Sequence, residues 1–146
     1  MGVFRGDFSR LINHYFPDRK LYLFDTFEGF DKRDAEVDRR ENFSSATQDF
    51  ALTSVDLVLS KMEHKDNCII RKGWFPQTAD GIDDTFCFVS LDCDLYQPLK
   101  SGLEFFSHLL SSSSKHKKFP CPSLSGGLFY LRSTFERNSI VRGCFG

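Results

Sequence analysis

The sequence predicts an α/β fold of three layers, with a parallel sheet between layers of helix. Three observations predict it. From residue 7 to residue 110, short apolar runs alternate with segments of helical periodicity, the pattern of crossover units around a parallel sheet. Two of the apolar runs end in an acid, Asp25 and Asp92, and ligands in open parallel sheets bind beyond the carboxyl ends of the strands. The chain has 146 residues, 40% of them hydrophobic, enough for a single domain with its own core.

The elements follow in order. Phe8, Leu11, Ile12 and Tyr15 fall at i, i+3, i+4 and i+7, which is one face of a helix. Asp7 is placed to cap or charge its start, and Pro17 closes it. Leu21–Phe24 reads as a buried strand ending at Asp25. From Asp31 to Glu41 both signs of charge are dense, so the segment reads as a solvated loop or lid. Val55, Val58, Leu59 and Met62 again have helical spacing, with Ser54 as the candidate N-cap. Cys68–Ile70 and Phe86–Leu91 read as two further strands. Leu99, Leu103, Phe106 and Leu110 form another helical stripe. These elements make a core domain over residues 1–110. Residues 111–125, rich in Ser, Lys and Pro, read as a linker or insertion. Residues 126–146 form a divergent C-terminal segment, in which Gly126–Leu131 offers one more strand.

Composition narrows the function. Seventeen Phe residues point to an aromatic core. A net charge of −1 gives no global field for nucleic acid or an anionic membrane. No apolar run approaches the roughly 18 residues of a membrane span, and the N-terminus lacks a leader pattern. Five cysteines, none in a C-x-x-C pair, read as free thiols in a reducing compartment. The expectation is therefore a cytoplasmic protein. A P-loop is absent, which removes kinase and ATPase readings. His14, His64, His108 and His116 lack a nucleophile partner in the pattern, which disfavours a hydrolase triad.

Two constellations carry chemistry. Gly2 and Gly6 bracket a turn, with Arg5 inside it, just before the first helix. Glycines there let the backbone approach a ligand closely. Asp25 lies 19 residues after Gly6, at the end of the next strand. A carboxylate so placed can accept hydrogen bonds from both hydroxyls of a ribose. A nucleotide-dependent oxidoreductase would use the same acid, but with a three-glycine fingerprint that is not present. The second constellation is Asp92 and Asp94, two apart at a strand terminus. Such a pair can hold a hard cation such as magnesium. It can equally be structural, with Asp94 capping the next turn.

The stretches Gly2–Phe8, Leu21–Phe30 (LYLFDTFEGF), Lys72–Thr78 (KGWFPQT) and Val89–Tyr96 (VSLDCDLY) resemble the motifs of the macrocin O-methyltransferase family, over residues 2 to about 110. The resemblance implies a Rossmann-like methyltransferase that moves a methyl group from S-adenosylmethionine to a hydroxyl, on a sugar or glycosylated product, with Mg2+. It implies that Gly2, Arg5 and Gly6 border the methionine end of the cofactor. Asp25 would bind the ribose with Thr26 and Phe27 beside it, and Gly73 and Trp74 would lie near the adenine. Asp92 would be a metal ligand and the catalytic base, and Asp94 a second ligand.

Two departures from the family pattern set expectations of their own. The strand that should precede the glycine turn is almost absent, so the sheet is expected to be incomplete. Where the family carries further acids after a Gly-Gly strand, this chain has Arg132 and Ser133 after Leu131. Little methyl transfer is therefore expected of this chain alone. The alternatives are a non-catalytic remnant that binds a nucleoside or another protein, and a tail altered by reading frame or splicing.

Overall fold

The computed structural model describes residues 1–110 and 128–131. The linker at 111–125 lies outside them, as does the C-terminal segment at 126–146 apart from one strand, Arg132 and Ser133 included. The order is α1 (Asp7–Tyr15), β1 (Leu21–Asp25), α2 (Lys32–Glu41), α3 (Val55–Ser60), β2 (Cys68–Lys72), β3 (Phe88–Leu91), α4 (Tyr96–Ser107) and β4 (Leu128–Leu131). All three strands expected in the core domain are present. So is the fourth, whose backbone pairs with β3.

The pairings are parallel. β1 pairs with β2 in the register Leu21 to Cys68 through Asp25 to Lys72. β3 pairs with β4 from Phe88 to Leu128 through Leu91 to Leu131. The expected α/β class is therefore present, but as two parallel pairs and not one continuous sheet. What joins the pairs is the start of the chain. Met1 N donates to Ser90 O at 2.7 Å, and Met1 O accepts from Asp92 N at 3.0 Å. Those two bonds straddle Leu91 as a parallel ladder does. On the other side Gly2 N donates to Phe24 O at 3.0 Å. Residues 1 and 2 are thus two rungs of a strand lying between β1 and β3. The α-amine is enclosed there, and burial pulls it below its ordinary pKa.

Two core clusters flank these strands. Phe24, Phe75, Ala79, Val89, Leu91 and Phe106 form one, with Phe86 and Phe105 packed on it. Its aromatic rings meet edge to face: Phe24 with Phe75 at 5.6 Å and Phe86 with Phe106 at 5.2 Å between centroids. Val3, Leu23, Phe27, Val58 and Met62 form the other. The Phe-rich composition is thus spent largely inside.

Two sequence expectations need correction. The segment Asp31–Glu41 is a helix, not a solvated loop. Asp31 caps it by accepting from Arg33 N, and Asp34, Ala35 and Asp38 are buried. Its acids are tolerated inside because each has a donor: Trp74 Nε1 to Asp34 at 3.1 Å, and Tyr96 N to Asp38 at 3.1 Å. The apolar stripe of α1 is the second case. Ser9 and Asn13 are the buried residues, while Leu11 is 43% and Tyr15 73% exposed. Asn13 can be buried because its amide pairs with both backbone groups of His64. Phe8 and Ile12 instead line a cavity of about 90 Å³ between β1 and β3. Asp7 charges the first turn of α1 without capping it and pairs with Lys61, while Gly6 holds the N-cap position in a left-handed conformation.

Candidate functional site

The glycine turn, the end of β1 and the end of β3 meet at one edge. Gly2 has φ 74°, and a Cβ there would stand 2.1 Å from Asp92 O. Only a residue without Cβ lets the turn cross the β3 terminus so closely. Gly6 has φ 77°, and a Cβ there would meet Val58 Cγ1 at 2.9 Å. Left-handed conformations also occur at Phe4 (φ 48°) and at the buried Phe27 (φ 56°). Bulky residues seldom adopt them, and such strain gathers at functional sites.

Asp25 organises this edge. Its Oδ2 accepts from Val3 N at 2.6 Å and from Phe4 N at 2.9 Å. Its Oδ1 accepts from Phe27 N at 2.8 Å. One carboxylate therefore clamps the glycine turn to the loop after β1. Backbone bonds of this charge-assisted kind are strong. A carboxylate has about four lone-pair sites, so capacity remains for a ligand hydroxyl. Thr26 Oγ1 bonds Gly29 O, which tightens the loop containing Phe27. Glu28 points outward and pairs with Lys72 at 2.5 Å.

Gly73 N donates to Asp25 O at 3.0 Å, bringing the end of β2 beside the end of β1. Trp74 follows, half-buried, with the Arg33 guanidinium 4.1 Å from its ring centroid. Arg5 is exposed on the glycine turn. Asp92 and Asp94 are half-buried while Cys93 and Leu95 are buried. Among the described residues no cluster of three or more His, Cys, Asp or Glu is arranged to hold a metal. The Cys93 thiol, buried between the two acids in sequence, is pushed up to about 12 by burial, so it is neutral and unreactive.

The structure thus brings Gly2, Gly6, Asp25, Thr26, Phe27 and Gly73 together through backbone bonds and close contacts, and Gly2 touches the backbone of Asp92. Sequence reasoning missed Asp34 and Asp38. They tie α2 to Trp74 and to the first turn of α4, and so connect the ends of β2 and β3. Their i, i+4 spacing on one helix face was the available signal.

At this edge a left-handed glycine turn is clamped by a strand-end carboxylate in parallel α/β architecture. The chain belongs to the macrocin-O-methyltransferase (TylF) family, whose model matches residues 1–113. No curated protein and no solved structure matches it.

Proposed function

We propose that the chain is a Rossmann-like, S-adenosylmethionine-dependent O-methyltransferase unit acting on a small-molecule hydroxyl. Family membership supports O-methyl transfer. The observation that carries the cofactor reading is the Asp25 clamp on the glycine turn. It holds Gly2, Arg5 and Gly6 where the methionine end would lie. It also leaves carboxylate capacity for the ribose hydroxyls beside Thr26 and Phe27. Gly73 and Trp74 border the adenine.

In this reading Asp92 takes the proton of the acceptor hydroxyl as its oxygen attacks the methyl carbon. The carbon–sulfur bond breaks, and the products are a methyl ether and S-adenosylhomocysteine. In-line alignment of oxygen, carbon and sulfur supplies much of the acceleration. Asp92 and Asp94 are the right donor type for Mg2+; bound, the ion would make the hydroxyl more acidic. The acceptor class is a sugar or glycosylated product, and the working compartment the cytoplasm. Among the described residues no helix is long and apolar enough to cross a membrane.

The test is transfer of a labelled methyl group to glycosylated acceptors, with and without magnesium. Any transfer should vanish in Asp92→Asn. Transfer that persists undiminished in that variant removes Asp92 from the base role.

A further inference from the structure

We propose that Phe43 and Tyr96 form a stacking platform for the sugar ring of the acceptor, beside the acids that follow β3. The inference rests on the methyl-transfer reading of that edge and names the surface that seats the acceptor.

The two rings come from distant parts of the chain, and one residue brings them together. α2 ends at Asn42, whose left-handed φ of 58° turns the chain back, a conformation that Asn tolerates at helix ends. Phe43 N then donates to Asp38 O at 2.9 Å. The side chain of the same residue accepts from Tyr96 N through Oδ1 at 3.1 Å. Asp38 is itself only 1% exposed. One buried aspartate thus fixes the backbone under both rings. Their centroids stand 4.6 Å apart, with the planes tilted by 37°, close range for an aromatic pair.

The foundation is dry and the top is open. Asp38, Cys93 and Leu95 are buried, whereas Phe43 is 39% and Tyr96 45% exposed. A contiguous apolar patch anchored in this way and left facing water is a feature of binding sites. The pair alone offers far less than the ~800 Å² that a protein partner covers, so the occupant is small. A pyranose matches it. One face of such a ring presents C–H groups, whose slight positive charge suits the negative face of an aromatic ring. Its hydroxyls lie around the rim, and the Tyr96 phenol can donate to them or accept from them.

Position ties the platform to the chemistry. Tyr96 follows Asp94 by two residues and Asp92 by four. A sugar seated on the pair therefore brings its rim hydroxyls towards the acid assigned to take the proton. The glycine turn reaches the same place from the other side, since Gly2 lies against Asp92 O. Methyl donor and acceptor then approach one carboxylate from opposite sides, as alignment for transfer requires.

The full chain is titrated with the methyl glycosides of glucose, galactose and mannose, and binding is read by NMR as saturation transfer to each sugar proton. Cyclohexanol is the apolar comparison. At least one glycoside should bind saturably, with the strongest transfer to the C–H protons of one ring face. Phe43→Ala and Tyr96→Ala should each raise Kd by ~10-fold or more, a size typical of losing one stacked ring; Phe43→Tyr should not. Asp38 is a positioning residue. Asp38→Ala should raise Kd as well, and Asp38→Asn, which keeps an oxygen for Tyr96 N, should restore it. No glycoside binding by the parent, equal Kd in the two alanine ring variants, or equal binding of cyclohexanol would overturn the proposal. A parallel titration with S-adenosylmethionine separates the two readings. Ring-dependent glycoside binding without cofactor binding upholds the platform and removes the methyl-transfer reading; cofactor binding without glycoside binding overturns the platform alone.

Discussion

A methyl group on Gly2 would collide with the carbonyl of Asp92, which stands 2.1 Å from the Cβ position. The positive φ of this residue adds on the order of 1–2 kcal/mol for any L side chain. Gly2→Ala should therefore lower unfolding free energy by at least that amount in urea titration. A variant as stable as the parent would show that the turn relaxes without cost. Asp25 is the second residue on which the edge depends. Asp25→Ala leaves Val3 N, Phe4 N and Phe27 N without their acceptor. A donor left unsatisfied away from water costs roughly 1–3 kcal/mol, and Phe4 N, which is exposed, can turn to water instead. Denaturant unfolding should show a loss in that range, with faster amide exchange at residues 3 and 4. Sequence spacing placed Asp25 at a strand end and suggested a ribose. It could not show that the backbone of the glycine turn folds back onto the same carboxylate, because that contact depends on two left-handed residues, Phe4 and Phe27, that no composition signal marks.

Among the elements, α2 is the one whose nature the sequence hid. Its mean polarity is high because eight of its ten residues are charged, all but Ala35 and Val37. Charge density reads as solvent. The fold buries two of those acids by supplying an indole N–H and a helix-end N–H. Asp38→Ala removes the side-chain acceptor at the first turn of α4, and a lost cap costs about 0.5–2 kcal/mol. Chemical denaturation checks that magnitude; no change would mean that Tyr96 N finds another acceptor. Asp34 gives a pH signature. Burial raises its pKa above the ordinary 3.8, with the Trp74 bond opposing; Asp31 and Asp38 also raise it and Arg33 lowers it. The folded state then holds the proton where the unfolded chain has released it. Stability falls as pH rises through that window, from the unfolded value up to the raised folded one, and the loss is constant above it. Relative to Asp34→Asn, the parent should lose Tm as pH rises above the ordinary aspartate value. Parallel Tm profiles for the two proteins would remove the buried-acid explanation. Strands and the Ser54-capped helix α3 were legible, since short apolar runs and an N-cap are local signals. The facing of α1 was not, because Phe8 and Ile12 of its apolar stripe line a cavity while Leu11 and Tyr15 are exposed.

At the scale of the whole molecule, among the described residues the backbone bonds between the two parallel pairs run through Met1 and Gly2, while Phe24, Val89 and Leu91 share one core cluster. The glycine turn hangs from those rungs and from Asp25. Cofactor and acceptor must be held within a fraction of an ångström for in-line transfer. Methyl transfer by this chain alone is expected to be weak, and an assay with labelled S-adenosylmethionine checks it. Robust turnover would show that the rungs of Met1 and Gly2 hold the turn well enough for transfer. Cofactor binding asks less of the sheet than catalysis does, because it depends mainly on the clamped turn and the β1 terminus.

The most direct measurement is calorimetric titration of the chain with S-adenosylmethionine, set beside Asp25→Ala shown to be folded by circular dichroism. The expected result is saturable binding to the parent, weakened ~10-fold or more in the variant, the loss of charge-assisted hydrogen bonds worth roughly 1.5–3 kcal/mol. No binding to the parent, or equal affinity in the two proteins, would contradict a cofactor site at the Asp25 edge.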